Sequence, residues 1–358
     1  MSNGEDTIGL IVIKPNNVRW RVFEYECCQK HFGLVTEMRP EKLEARHITN
    51  TDAKYVYWKI NTEATPEILW KRCMLVASSL PPEIKHINDP RGWLACHAKE
   101  VAFDMWKRVG IPCPNWFEFT NERDFFKNFF KKCTFTYPML LRLNNSTSGW
   151  FSYLVTNEVQ VKEAIQNLEA KKGYRHDGSD NTGVGRKFIA VQFIPTTRPE
   201  KVNLSFRIIV AGNRVVTGYA RIGPASDWIA ITNRFEPWME EVFIKYQKVC
   251  AEFCKTHKDM LIKSVKSLGL NIQGVDVILD KNDNPYFLEV QPGFSVGVPH
   301  TTAWRPPFYN PSKPEALVQF LIKNKERLQQ EIPLYYNYWL DKYAMFDSAF
   351  TGLKEDLG

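Results

Sequence analysis

Two apolar runs late in the chain, Gly274-Val-Asp-Val-Ile-Leu279 and Tyr286-Phe-Leu-Glu-Val-Gln291, flank the turn residues Asp280 to Pro285. Each reads as a strand, yet each carries an acid or amide where a strand should face an interior. If residues 279 and 286 close the turn, 278 faces 287 and Asp276 falls directly opposite Glu289, with Gln291 two residues along the same face. Carboxylates about 5 Å apart in a half-buried sheet repel one another unless a cation lies between them. Two arrangements satisfy that demand. An oxygen-only set completed by an amide suits Mg²⁺, which keeps waters and takes further ligands from phosphates. Alternatively, each acid pairs separately with a Lys or Arg, and the hairpin alone leaves the two readings level.

The rest of the composition limits which partners such a hairpin serves. At 358 residues, and about 150 per domain, the chain is long enough for two or three domains with a cleft between them. Apolar residues at 44% and charged residues at 24% describe a folding chain, not a disordered one. Lys and Arg outnumber Asp and Glu by 47 to 40, but no run of five basic residues occurs, so no nucleic acid partner is expected. Small anions such as nucleotides suit this balance better. The longest apolar run near the start, Ile8 to Ile13, has no basic leader and is too short to span a bilayer, so no membrane partner and a cytoplasmic location are expected. Eight cysteines without a C-x-x-C read as reduced thiols, and His86, His97, His176, His257 and His300 show no ligand spacing.

Strands are expected at Thr7 to Lys14, Lys54 to Ile60 and Ile84 to Ile87, with helices from Asn17 and from Pro66 between them, which gives a small parallel α/β domain. One helix is expected from Leu94 to Val109, closed by Gly110-Ile-Pro-Cys-Pro114. Strands at 116–119, 139–143 and 151–155 and helices at 121–132 and 158–172 lead to Tyr174 to Lys187, which is rich in Gly, Asp, Asn and Ser and carries Arg175, Arg186 and Lys187. That segment reads as a lid over bound phosphates. Strands follow at 188–194, 204–211 and 215–220, the last two joined by Gly212-Asn213, then one helix from Pro237 to Leu268, and helices again from Glu315 to Phe350. The region from about 95 to 300 is therefore α+β.

Several pieces stand in a fixed order before the carboxylate hairpin. They are the helix from Lys99 with its Gly-Ile-Pro-Cys-Pro114 stop, the strand Tyr-Pro-Met-Leu-Leu-Arg142 with its small-residue loop Asn144-Asn-Ser-Thr-Ser-Gly149, and Val-Gln-Phe-Ile194. Phe-Arg-Ile-Ile-Val-Ala-Gly-Asn-Arg-Val-Val216, Asp-Trp-Ile-Ala-Ile-Thr-Asn233, Gly-Val-Asp276 and Phe-Leu-Glu-Val-Gln-Pro-Gly293 follow. This ordered set resembles the ATP-grasp superfamily of carboxylate–amine ligases over roughly residues 85 to 300. The resemblance implies a Rossmann-like N-terminal α/β domain followed by two α+β subdomains that sandwich the nucleotide. Boundaries at 1–90, 91–195, 196–310 and a helical extension at 311–358 follow from it.

Carried over position by position, the resemblance makes Asp276, Glu289 and Gln291 ligands of Mg²⁺, with Mn²⁺ as a substitute. Arg207 would meet the γ-phosphate or an acyl phosphate, with Arg221 as a second catalytic cation. Lys99, Arg142, Ser146, Ser148, Gly149 and Asn233 would surround the phosphates of ATP, and Gln192, Phe193 and Ile194 would border the adenine. This chain departs from the pattern in three places: Gln291 replaces the usual Asn, Arg142 the usual lysine, and Gln192 the usual acid beside the base. Simple hairpin register adds a difficulty, since pairing 207 with 218 and 221 with 204 sets Arg207 and Arg221 on opposite faces, and only a bulge brings them together. Phe294 to Gly297 and His300 to Arg305 directly follow the hairpin and are candidates for the acceptor pocket. The implied activity joins a small carboxylate to an amine, an amino acid or peptide, through an acyl phosphate. A small-molecule kinase and a nucleotide-binding protein without catalysis are the alternatives, and a homodimer is compatible with all three.

Overall fold

The computed structural model describes residues 8–15, 22–60, 67–144, 151–171, 187–226, 235–292, 315–334 and 342–358. Alternation of strand and helix in the first part of the chain produces β1 (Ile8–Ile13), α1 (Val22–Phe32), β2 (Leu34–Met38), α2 (Ala45–Thr49), β3 (Tyr55–Trp58), α3 (Glu67–Ser79) and β4 (Lys85–Ile87). These strands form one parallel sheet in the order β2-β1-β3-β4. The expected α/β domain is present, with β2 and α2 added. β2 starts directly after Gly33, whose φ of +82° ends α1 in a conformation open to glycine.

The single helix expected from Leu94 is two, α4 (Trp93–His97) and α5 (Lys99–Arg108), broken at Ala98, which is extended at φ −121° and ψ 107°. The break frees the Lys99 N–H from the helical ladder, and it donates to the Asn144 carbonyl at 3.4 Å. After α5 come β5 (Trp116–Phe119), α6 (Glu122–Lys132), β6 (Met139–Leu143), β7 (Ser152–Val155), α7 (Glu158–Lys171) and β8 (Phe188–Gln192). Their antiparallel sheet, ordered β5-β8-β6-β7, packs its own core with Phe117, Phe125, Leu141, Ile165, Leu168 and Phe188.

The third sheet, ordered β10-β9-β11-β12, is antiparallel: β9 (Val202–Ala211), β10 (Arg214–Pro224), β11 (Ile272–Leu279) and β12 (Pro285–Pro292). α8 (Glu240–Thr256) and α9 (Lys258–Lys266) cover one face, again as two helices in place of one, with the break at His257. Gly218 marks that covered face, since a Cβ there would lie 2.8 Å from the Cys254 sulfur. The last elements are α10 (Glu315–Lys323), α11 (Lys325–Glu331) and α12 (Lys342–Leu357). Among the described residues no helix is long and apolar enough to cross a membrane.

Candidate active site

Two β-bulges decide which side chains meet on the face of the third sheet opposite α8 and α9. β9 and β10 leave Gly212-Asn213 as a two-residue turn, with Ala211 opposite Arg214, and then slip by one residue between Val215 and Thr217. The slip moves Arg221 from the expected partner Leu204 to Ser205, and Arg207 to Tyr219. Arg207 and Arg221 thereby share a face, the outcome that simple register excluded. In the carboxylate hairpin the turn closes at Leu279 and Pro285, one residue short of the expected 279–286 pair, so Ile278 faces Tyr286 and not residue 287. A bulge between Asp276 and Val277 restores the offset, and Asp276 pairs with Glu289 as expected.

The result is a buried charge cluster. Asp276, 2% exposed, stands opposite Arg207 on β9 and Glu289 on β12. Arg207 donates a fork to it, Nε to Oδ1 and Nη2 to Oδ2, both at 2.7 Å. The Arg221 Nη2 reaches Oδ2 at 3.0 Å, while its Nε donates to the Ser205 hydroxyl at 3.1 Å. Glu289 takes the Lys99 ammonium at 2.9 Å on Oε2 and lies 3.9 Å from Arg207 through Oε1. The Gln291 amide nitrogen donates to the same Oε1 at 2.6 Å. Burial pushes the Glu289 carboxyl up, but the charges of Lys99, Arg142 and Arg207 outweigh it and hold it far below the usual carboxylate range. Burial also lowers the Arg142 guanidinium from its ordinary value, against the pull of Glu289.

Arg142 lies on the second sheet, and its charge and that of Glu289 act on one another. Burial alternates along β6, so Met139, Leu141 and Leu143 fill the small core while Leu140 and Arg142 lie on the opposite side, where Leu140 packs against the main core. The junction below it is a polar knot that the sequence reading missed. Asn144 donates its backbone N–H to the Lys187 carbonyl at 3.0 Å, and its Oδ1 accepts the Lys187 N–H at 3.2 Å. Its Nδ2 donates to the buried Glu100 Oε1 at 2.8 Å. The Asn that opens a small-residue loop directly after a strand was the available signal, but nothing local named Glu100 as its partner.

Not every expected residue joins the cluster. Gln192 pairs with Met139 on the face of the small core, opposite Arg142, and its Oε1 accepts both the backbone and side-chain N–H groups of Asn115, at 3.2 and 3.1 Å. Its side-chain oxygen is therefore taken by Asn115, the residue before β5. Ser146, Ser148, Gly149 and Asn233 lie outside the described residues, as do the lid segment up to Arg186 and the two acceptor-pocket stretches. Lys187, the last residue of that segment, pairs with Glu118 at 2.8 Å.

A sequence profile of the RimK-like ATP-grasp domain matches residues 97–301, more than half of the chain. The chain belongs to the RimK-like ATP-grasp family. All the charged residues of the cluster fall within the matched stretch. No curated protein sequence matches this ATP-grasp chain. Among solved structures, it is similar to the L-amino acid ligase of Bacillus licheniformis, at 16% identity and a TM-score of 0.50 over 82% of this chain and 70% of that one. A RimK domain protein of Sphaerobacter thermophilus is 17% identical over 78% of this chain and 90% of that one, with a TM-score of 0.45. The D-alanine–D-alanine ligase of Bacillus anthracis is 11% identical over 98% and 99%, at 0.49.

A divalent cation is the group this family implies, and the donor set can be tested for it. Among the described residues no three His, Cys, Asp or Glu side chains come together as a metal cage. Asp276 and Glu289 supply two carboxylates, and Gln291, whose nitrogen is held by Glu289, keeps its amide oxygen as an acceptor. This oxygen-only set fits Mg²⁺ when phosphate oxygens complete the shell.

Proposed function

We propose that this ATP-grasp chain is an ATP-dependent ligase that joins a small carboxylate to an amine. One observation carries the reading: four cations, Lys99, Arg142, Arg207 and Arg221, surround two carboxylates on one buried sheet face. The surplus of two positive charges suits a polyanion, and a triphosphate accompanied by Mg²⁺ matches it in charge and ligand chemistry. Family membership supports nucleotide use. The name of the L-amino acid ligase, whose fold this chain shares, makes an amino acid or a short peptide the first substrate class to try.

In this reading the substrate carboxylate attacks the γ-phosphorus, the bond to the β-γ bridging oxygen breaks, and ADP departs. The amine then attacks the acyl carbon of the acyl phosphate, and inorganic phosphate leaves as the amine loses its proton. Asp276, Glu289 and Gln291 would hold Mg²⁺, which when bound would supply charge neutralisation for the phosphates. The chain's own part is electrostatic. Lys99 and Arg142 approach from α5 and β6 and neutralise the phosphates, while Arg207 offers a planar fork to the transferred group. A strong general base is not required for the first step, because the nucleophile is already a carboxylate.

The test is product analysis with ATP, Mg²⁺ and a panel of amino acids taken singly and in pairs. ADP, free phosphate and an amide of the summed mass less water are expected. A phosphorylated product would identify a kinase instead, and tight ATP binding without ADP release would leave only a nucleotide-binding protein. Glu289→Gln should lose turnover by a factor on the order of 10² or more with its fold intact. Unchanged turnover at saturating Mg²⁺ would remove Glu289 from the metal site.

A further inference from the structure

The two arginines on Asp276 are held in different ways, and this difference has a chemical consequence that rests on the nucleotide reading above. A carboxylate offers about four lone-pair sites, and three guanidinium contacts fall on Asp276, two of them hydrogen bonds and one an ion pair. Arg207 supplies two of them in a planar fork, and its Nη2 also lies 3.9 Å from Glu289, so it sits between the two acids where a shared metal would lie. Arg221 supplies one and is tied by its Nε to Ser205 within the same sheet. A divalent cation that approaches alone must displace the fork and enter a cluster already two charges positive. It brings no anion to receive the displaced guanidinium. A triphosphate does bring one, and guanidinium forks match phosphate oxygens as well as carboxylate oxygens.

We propose that Arg207 is an exchangeable plug on the metal carboxylates, and that Arg221 is the fixed positioning residue that keeps Asp276 oriented when Arg207 leaves. The carboxylate pair is then closed to a free divalent cation and opens to one that arrives with a polyphosphate. Binding is ordered by charge: the phosphates draw Arg207 off Asp276, and the oxygens so exposed receive the metal. Arg207 changes partner from acid to phosphate in the same movement that assembles the site, which couples metal loading to nucleotide loading without any rearrangement of the sheet.

Mn²⁺ binding to the full chain, followed by the loss of the free-ion electron paramagnetic signal, tests this without relying on turnover. The wild-type protein should leave millimolar Mn²⁺ free when alone and bind it once ADP is added. Arg207→Met should bind Mn²⁺ without nucleotide, gaining at least tenfold in nucleotide-free affinity. Arg221→Met should keep the wild-type requirement for ADP while binding Mn²⁺ less tightly in its presence. Circular dichroism melts of both variants check that each is folded, and Arg207→Lys serves as a second variant, since it keeps the charge but loses the fork and should show an intermediate gain. Wild-type protein that binds Mn²⁺ equally with and without ADP would overturn the plug while leaving the ligase reading intact. Failure to bind ADP at all, by calorimetry without metal and with it, would overturn the nucleotide reading itself.

Discussion

Asn144 uses every polar group it has. Its backbone carbonyl and N–H reach Lys99 and Lys187, its Oδ1 takes the Lys187 N–H, and its Nδ2 holds Glu100. The partner matters because Glu100 is 4% exposed and its second oxygen, Oε2, has no hydrogen-bond partner among the described residues. Asn144→Ala would strip the remaining oxygen as well, and a buried carboxylate without any donor is costly, so a loss of roughly 2–4 kcal/mol in unfolding free energy is expected. Replacing Glu100 by Met in that background should recover part of the loss, because removing both partners of a buried pair costs less than removing one. Denaturant melts of the two single variants and the double variant measure this, and a double variant less stable than Asn144→Ala alone would contradict it. At this scale the sequence was informative where chemistry is paired within one hairpin: counting set Asp276 opposite Glu289, and the structure keeps that pair because the bulge at 276–277 cancels a turn that closes one residue early. It was silent where the partner is distant, as with Glu100 and Asn144, 44 positions apart. It did not show the partner of Gln192 either, because strand parity, not residue type, turned that amide toward Asn115.

Hairpins and helices show the same division between local and non-local causes. Gly212-Asn213 was readable as a two-residue turn because glycine reaches positive φ without strain, and Gly212 sits at φ +55°. The bulges at residues 215–217 and 276–277 were not readable, since a bulge relieves the fit of a strand against its neighbours and leaves no fixed residue signature. Yet the bulge in β10 is what brings Arg221 to Asp276. The Gly212 turn has a second constraint that only the fold reveals. α12 passes so close that a Cβ on Gly212 would lie 2.3 Å from the Gly352 carbonyl oxygen. Gly212→Ala should therefore cost on the order of 3 kcal/mol or more, from left-handed strain and from pushing α12 off the hairpin together. Calorimetry of this variant should show a fall in Tm beyond that of Gly110→Ala, where φ is +74° but nothing lies within 4 Å of the added Cβ. Equal falls would mean that α12 yields without cost.

The described residues form two apolar cores, one confined to residues 117–190 and one shared by the N-terminal sheet and the third sheet. The sequence marked the two kinds of sheet but not which of them share a core, because apolar periodicity reports that a face is buried and not against what. Asn88 explains much of the sharing. It follows β4 at φ +57°, a conformation asparagine tolerates better than most residues, and it is 1% exposed. Its side chain bonds both backbone groups of Ile272, Nδ2 to the carbonyl at 2.9 Å and Oδ1 from the N–H at 3.0 Å. Its own N–H donates to the Asn271 side chain at 2.7 Å, and the Asn271 amide reaches back to the His86 carbonyl at 2.8 Å. The start of the strand that carries Asp276 is thus stitched to the end of the N-terminal sheet. Asn88→Gly isolates this contribution, since glycine keeps the positive φ and removes only the side-chain bonds. Two buried backbone groups of Ile272 lose their partners, so a loss of roughly 2–5 kcal/mol is expected. If the stitch joins otherwise separable halves, unfolding should broaden or split into two transitions, while ADP should still raise the Tm of the transition that contains residues 97–301. A single sharp transition at the wild-type temperature would show that the apolar contacts hold the two sheets together without Asn88.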